Sequence, residues 1–145
     1  MGYDIEFASI NRKMFDVKSK GRLIAEKNAI EDMEYFFDDR CAIILLTTEM
    51  MNSCGVEQAE FEGMASIPLS TEGVEIGITI KQRHADVFKL SVRTTEEIDA
   101  SAFCKRFNGG GHIRAAGCEI QGTLEQVKAK VLNEVREVLG CSDGK

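Results

Sequence analysis

Residues 74–93, VEIGITIKQRHADVFKLSVR, contain two stretches in which apolar side chains alternate with other residues. In the first stretch, Val74–Lys81, every second residue is valine or isoleucine, and the second stretch is Val87–Arg93. Alternation with a period of two places one set of side chains on one face of a strand. The five residues QRHAD between the stretches can form a turn, so we predict an antiparallel hairpin.

The segments on either side of this hairpin predict a sheet with helices packed on it. The run Cys41–Thr47 is continuously apolar, which is typical of a strand covered on both faces, and a short strand is expected at Cys118–Gln121. Helical patterns cover Lys18–Phe36, Glu49–Cys54 (with Thr48 as N-cap and Gly55 as stop), Asp99–Phe107, and a last helix that starts with a capping box of Thr123 and Gln126 and ends at Gly140. We predict an α/β fold, with α+β as the alternative, built on a mixed β-sheet of about four to five strands.

Composition limits the classes of protein to which the chain can belong. It has 145 residues, of which 43% are hydrophobic, which is enough for one domain with a core. No apolar run approaches the roughly 18 residues of a membrane span, and the N-terminus lacks the features of a signal peptide. The five cysteines have no C-x-x-C spacing, so neither a zinc site nor a disulfide framework is expected. We therefore predict a cytoplasmic protein with no membrane contact.

The charge is distributed unevenly. The net charge is −6, yet residues 81–114 carry seven basic and four acidic side chains. An anionic ligand would be attracted to this segment. Chance clustering remains the alternative at this point, because the counts are small.

The segment FNGGGHIRAAG, Phe107–Gly117, indicates what that ligand is. Glycine lets another molecule approach the backbone, and consecutive amides of Gly109–Gly111 could form a concave nest for an anion. His112 and Arg114 are in the same loop, and phosphate is the ligand that suits such a set. No G-K-[ST] follows, which excludes a P-loop, and the glycines follow a predicted helix rather than a strand, which excludes a dinucleotide fingerprint. A helix-ending turn with no ligand is the alternative.

Arg93 is a second candidate, because it lies on the polar face of its predicted strand with Ser91 and Lys89. Beside the glycine loop it could bind a phosphate with two parallel hydrogen bonds; otherwise it is a solvated surface residue. His84 is expected at the surface and Cys104 in the core. No catalytic motif and no metal-binding cluster is recognisable.

Several motifs together resemble a known family. FNGGGHIRAAGCEI is similar to the glycine-rich motif of the C-terminal domain that accompanies DHH (Asp-His-His) phosphoesterases, of the nanoRNase (oligoribonuclease) and pAp-phosphatase type. The segments LLTTEMM, EFEG, EGVEIG and KLSVRT occur in that family's order, and the resemblance covers about residues 41–139. It implies that residues 1–40 are an interdomain linker and helix, and that residues 41–145 are the DHH-associated, substrate-binding domain.

The resemblance also implies a division of labour. An N-terminal DHH domain would hold two divalent metals, usually Mn2+, and hydrolyse the substrate, while this domain binds phosphates of a short oligonucleotide or nucleotide. The phosphate-binding residues carried over by motif are Arg93, Gly109, Gly110, Gly111 and His112, followed by Ser91 and Arg114. None of them is catalytic or a metal ligand. No DHH domain is recognisable in these residues, so the chain is expected to be a fragment of a phosphodiesterase or phosphatase and, alone, to bind without hydrolysing. Asn108 stands where the family has a fourth glycine, and it should tolerate the left-handed conformation.

Two other interpretations stay open. The chain could be a stand-alone nucleotide-binding or nucleic-acid-binding regulatory module. It could also be a structural domain, for example of a homodimer, in which the glycines only pack closely.

Overall fold

A computed structural model describes residues 18–56 and 63–140. In this part of the chain the helices are α1 (Lys20–Glu31), α2 (Thr48–Cys54), α3 (Ala100–Lys105) and α4 (Leu124–Leu139), with a 3₁₀ turn at Pro68–Ser70. The strands are β1 (Glu34–Phe36), β2 (Cys41–Leu46), β3 (Ile76–His84), β4 (Val87–Thr94), β5 (Gly110–Gly111) and β6 (Ala115–Gln121). Among the described residues, no helix is long and apolar enough to span a membrane.

The six strands form one mixed sheet in the order β1-β2-β3-β4-β6-β5. Strands β2 and β3 are parallel and all other neighbours are antiparallel. The predicted fold class and the predicted β3–β4 hairpin are therefore confirmed. The sheet has more strands than the four to five expected, because β1 and β5 are only three and two residues long and too short to show a period.

One face of the sheet carries the main core, which α3 and α4 cover. The alternating residues of the hairpin point into it, as predicted, and Ile76, Ile78, Ile80, Leu90 and Val92 are fully buried. Helix α4 begins with the predicted capping box, in which Thr123 Oγ1 accepts a hydrogen bond from the Gln126 amide (3.1 Å) and Gln126 Oε1 accepts one from the Thr123 amide (2.9 Å). Its buried stripe of Val127, Val131, Val135 and Leu139 packs on the sheet.

The helix expected over Lys18–Phe36 is shorter than predicted. Ser19 caps α1, which ends at Glu31, and residues 34–36 form β1 instead. The pairing of β1 with β2 outweighs local helical propensity here. The N-cap of α2 is likewise Thr47 rather than Thr48, since Thr47 Oγ1 accepts a hydrogen bond from the Met50 amide. The division of the chain at residue 40 stays a prediction, although α1 and β1 both pack on this sheet.

The second face of the sheet is covered over only half its width. Over β2 and β3 lies a smaller cluster from α1, α2 and residues 63–67, whose buried members are Ala25, Ala29, Ile44, Leu46 and Met64. Gly77 of β3 lies under the 3₁₀ turn, where a Cβ would be 2.9 Å from Pro68 Cβ. We call this the covered half. Over β4, β6 and β5 no described element packs on this face, and we call that part the open half.

Candidate functional site

A shallow trough of about 240 Å³ runs along the open half of the sheet. Its walls are Lys89, Ser91 and Arg93 of β4, Gly110 and Gly111 of β5, and Ala115, Ala116 and Gly117 of β6. The trough thus brings together four residues that the sequence predicts for the site, namely Arg93, Ser91, Gly110 and Gly111. Sequence reasoning placed Lys89 on this polar face without assigning it to the site, and it missed the small residues of β6.

The alternation of β4 explains why the trough is polar on one side. Phe88, Leu90, Val92 and Thr94 face the core and are buried, whereas Lys89, Ser91 and Arg93 are half-buried on the other face. Ser91 pairs with Gly117 of β6, which in turn pairs with Gly110 of β5. Residues paired across neighbouring strands share a face. The centre of the trough is therefore a row of one serine and two glycines, where the backbone is accessible.

The three consecutive glycines have different surroundings, and these explain why glycine is present at each position. A Cβ on Gly109 would lie 2.2 Å from the Gly117 carbonyl oxygen and 2.5 Å from Cys118 Cβ. Gly111 has a φ of +150°, and its Cβ would lie 2.7 Å from Ala116 Cα. Both positions are filled by neighbouring backbone, so packing alone demands glycine at Gly109 and Gly111.

Gly110 has no such packing reason. No atom lies within 4 Å of the position that a Cβ would take, and its φ is outside the left-handed region. A side chain there would extend over the open half of the sheet, since Gly110 is in the row of Ser91 and Gly117. The missing side chain of Gly110 leaves room in the trough and nowhere else.

The segment before the glycines is a helix-ending motif centred on Asn108. The Gly109 amide donates to the Cys104 carbonyl (2.9 Å) and the Asn108 amide donates to the Lys105 carbonyl (3.1 Å), which is the bond pattern of a Schellman motif. Asn108 occupies the left-handed position of this motif with a φ of 65°. The expectation that asparagine can take this conformation is confirmed.

After Asn108 the chain forms an edge strand rather than a nest of consecutive amides. His112 and Ala115 exchange both backbone hydrogen bonds (2.8 and 3.2 Å). Because such pairs alternate in an antiparallel ladder, the N–H of Gly111 points away from β6, at the edge of the sheet. One glycine amide, not three, is therefore directed outward by this geometry.

His112 lies at the rim of the trough. Its pairing with Ala115, which itself pairs with Arg93, puts His112 in the same row across the sheet as that arginine. The His112 side chain is exposed. Backbone register thus brings His112 and Arg93 to the same end of the trough.

Arg114 is directed elsewhere. Its guanidinium donates to Thr94 Oγ1 and to the Glu96 carbonyl, both at 3.4 Å, and Thr94 belongs to the core face. The neighbouring Ile113 carbonyl accepts a hydrogen bond from the Ala100 amide at the start of α3 (2.7 Å). These contacts give Arg114 a role in holding the β5–β6 turn against α3, outside the trough.

The trough is electropositive. Within residues 18–56 and 63–140, neither Lys89 nor Arg93 takes part in an ion pair. Glu119 faces the same side of the sheet, but its carboxylate pairs with Arg83 at 3.2 Å. Two cations of a chain with net charge −6 therefore remain available to an anion at this position.

Two thiols lie beneath the glycine segment. Cys104 of α3 and Cys118 of β6 are both buried, as predicted for Cys104. The contact with the Cys118 thiol, together with burial, raises the pKa of Cys104. Burial also raises the pKa of Cys41, to about 12. Cys104 and Cys41 are therefore protonated at neutral pH and pack as small apolar groups.

A second hollow in the described part of the chain is not suited to phosphate. A hollow of about 290 Å³ at the opposite face has mainly apolar walls, and its lysine, Lys128, pairs with Glu34. In the part of the chain that the structure describes, no group of three or more His, Cys, Asp or Glu side chains is placed to hold a metal. The metals that the resemblance implies would belong to a separate domain, and no chemical step is assigned to a metal here. His84 is exposed at the end of β3, as expected.

Comparisons with known proteins show the family of the chain. A family model described as the DHHA1 domain matches residues 44–140. The chain is 26% identical over 141 residues to the bifunctional oligoribonuclease and PAP phosphatase NrnA of Thermus thermophilus. The matched region covers 96% of this chain and 41% of that protein.

Two solved structures share the fold of the chain. An exopolyphosphatase-related protein from Bacteroides fragilis superposes with a TM-score of 0.77 at 27% identity, over 92% of this chain and 38% of that one. The pGpG-specific phosphodiesterase PggH from Vibrio cholerae superposes with a TM-score of 0.54 at 10% identity, over 97% of this chain and 51% of that one, which shows a shared fold. The chain thus spans about two fifths of the length of the two relatives of higher identity.

Proposed function

Because the chain belongs to the DHHA1 domain family, we propose that it is the substrate-binding domain of a DHH-family phosphoesterase and that the trough binds a substrate phosphate. Relatives whose names describe phosphatase, oligoribonuclease or phosphodiesterase activity support the reaction class. The substrate is a nucleotide or a short oligonucleotide. Hydrolysis takes place on a DHH domain with its divalent metals. The substrate-binding domain described here binds the substrate and orients it.

The observation that carries the proposal is the open position of Gly110, in the same row across the sheet as Ser91. Glycine in a strand costs about 0.5–1 kcal/mol relative to alanine, and at Gly110 neither φ nor packing requires it. Room for a ligand against the backbone explains its presence. The uncompensated charge of Arg93, which lines the same trough, favours an anion.

In this arrangement several residues each contact a different part of the phosphate. Arg93 donates two parallel hydrogen bonds to phosphate oxygens, and Ser91 Oγ adds a neutral donor from the same strand. His112 closes over the ligand from the rim, and the amide of Gly111 is a further donor from the edge. Gly109 and Arg114 act indirectly, since they fix the conformation of the segment that carries Gly110 and His112.

Arg93→Ala tests the proposal. Loss of a charge-assisted pair of hydrogen bonds should weaken the binding of adenosine 5′-monophosphate by about ten- to a hundredfold, as measured by isothermal titration calorimetry. Arg93→Lys should retain part of the affinity, because lysine keeps the charge but not the bidentate geometry.

Lys130→Ala is the matched control, because it removes one positive charge from the exposed side of α4, which packs on the opposite face of the sheet. It should bind like the original chain. Equal affinities of the Arg93→Ala and Lys130→Ala chains would contradict the site, and undetectable binding of the nucleotide to the unaltered chain would contradict the function.

A further inference from the structure

Two polar side chains are buried among the residues that the structure describes, and both are threonines. Thr79 is 3% exposed and Thr94 is 4% exposed. A buried hydroxyl group needs a hydrogen-bond partner, so each threonine is bonded to another part of the chain. Thr79 belongs to the covered half, where its Oγ1 is 3.5 Å from the Ala65 carbonyl oxygen. Thr94 makes shorter hydrogen bonds, and they lead to the candidate site.

The hydroxyl group of Thr94 joins two segments of the chain. It donates its proton to the Ile98 carbonyl oxygen at 2.7 Å, and the Ile113 carbonyl oxygen is a second acceptor at 3.2 Å. Ile98 comes just before α3, and Ile113 is in the β5–β6 turn. The Thr94 amide also donates to the Arg114 carbonyl at 3.1 Å. Thr94 therefore holds both residues at the tip of the turn, one through its side chain and the other through its backbone.

The turn that Thr94 holds carries His112. Because His112 and Ala115 exchange backbone hydrogen bonds, the turn has two residues between them and little freedom of its own. Arg93 precedes Thr94 in β4, and His112 precedes Ile113 in the turn. Thr94 is thus one residue from Arg93 and is bonded to a carbonyl one residue from His112.

From these contacts we propose that Thr94 is the positioning residue of the phosphate site: its hydroxyl group fixes the β5–β6 turn so that the His112 side chain reaches the phosphate bound by Arg93. The inference rests on the proposed function and explains how an exposed side chain at the rim is directed toward the ligand. Thr94 faces the core and does not contact the ligand itself. Its effect on binding is transmitted through the backbone of the turn.

Thr94→Val tests the inference, because valine has the shape of threonine without the hydroxyl group. The substitution should weaken the binding of adenosine 5′-monophosphate by about five- to tenfold, the loss expected for one hydrogen bond from His112. His112→Ala should cause a similar loss in the unaltered chain. In the Thr94→Val chain it should change the affinity by less than about twofold, because residues that act through one another are not additive. Isothermal titration calorimetry measures these affinities.

Two variants separate positioning from stability. Thr94→Ser keeps the hydroxyl group and should bind within about twofold of the unaltered chain. Thr79→Val is the matched control, since it removes the other buried threonine hydroxyl group, which lies in the covered half. It should bind like the unaltered chain even where its thermal unfolding midpoint falls as far as that of Thr94→Val.

A measurement on the unaltered chain does not depend on how well a variant folds. The amides of Thr94 and Ala100 donate to the two carbonyls at the tip of the β5–β6 turn, so their resonances report on the turn. Titration with adenosine 5′-monophosphate should shift both amide resonances together with that of Arg93. The amide resonance of Thr79 should stay in place.

The outcomes distinguish the inference from the function. The inference is wrong if Thr94→Val binds like the unaltered chain, if Thr94→Ser binds as weakly as Thr94→Val, or if His112→Ala has no effect or an additive one. It is also wrong if Thr79→Val loses affinity equally, or if the nucleotide shifts Arg93 without shifting Thr94 and Ala100. Each of these results leaves the proposed function intact, because Arg93→Ala tests that function separately. Failure of the unaltered chain to bind the nucleotide overturns the proposed function and the inference together.

Discussion

The two halves of the second sheet face use glycine for opposite reasons. In the covered half, Gly77 lies beneath the 3₁₀ turn, and the space of its missing Cβ is filled by Pro68 and Leu69. In the open half, Gly110 has the same relation to the sheet, but no atom occupies the corresponding space. The first glycine permits a protein element to pack on the sheet. The second permits something that is not part of the domain to do so, which is why we place the ligand there.

The largest expected effect is a loss of stability at the glycines whose space is filled. Gly109→Ala would put a Cβ 2.2 Å from the Gly117 carbonyl oxygen, and Gly77→Ala would put one 2.8 Å from the Leu69 amide nitrogen. Overpacking against backbone costs about 1–3 kcal/mol in the free energy of unfolding, and Gly109→Ala should lie at or above the upper end. Urea denaturation, monitored by circular dichroism, measures the free energy of unfolding of both variants.

Gly110→Ala is the matched control for that experiment. It should unfold at the same urea concentration as the original chain or slightly higher, because glycine in a strand is less stable than alanine. If all three substitutions cost the same free energy, the division of the face into a covered and an open half would be wrong.

A smaller effect is expected at Asn108, which leads the chain into the open half. Its φ of 65° is tolerated by asparagine and preferred by glycine. Asn108→Gly should therefore raise the free energy of unfolding by about 0.5 kcal/mol, while Asn108→Ala should lower it by about 1 kcal/mol. Equal stability of the two variants would show that this position is not held in the left-handed conformation in solution.

The elements that could be predicted from sequence are those with a clear pattern of their own. The alternation of β3 and β4 and the capping box of α4 each determine an element locally, and all three were predicted at or near their observed bounds. The motifs also predicted the family, which the DHHA1 match at residues 44–140 confirms. Strands β1 and β5 could not be predicted, because short strands are determined by their neighbours rather than by a pattern of their own.

The sequence predicts residues for the candidate site but not their arrangement. The alternation of β4 puts Ser91 and Arg93 on one face, but only the strand order places that face beside Gly110. The sequence also cannot show that Arg114 turns toward Thr94, since that depends on how the β5–β6 turn meets α3. The roles of the individual site residues remain predictions until binding is measured.

The most direct test of the open position is Gly110→Val. Valine suits a strand, and its Cβ meets no atom of the domain, so the thermal unfolding midpoint should stay within about 2 °C of the original chain. Its side chain would occupy the trough, so the affinity for adenosine 5′-monophosphate, measured by isothermal titration calorimetry, should fall at least tenfold. Unchanged stability with lost binding is the result that we predict, and unchanged binding in a folded Gly110→Val chain would contradict the account.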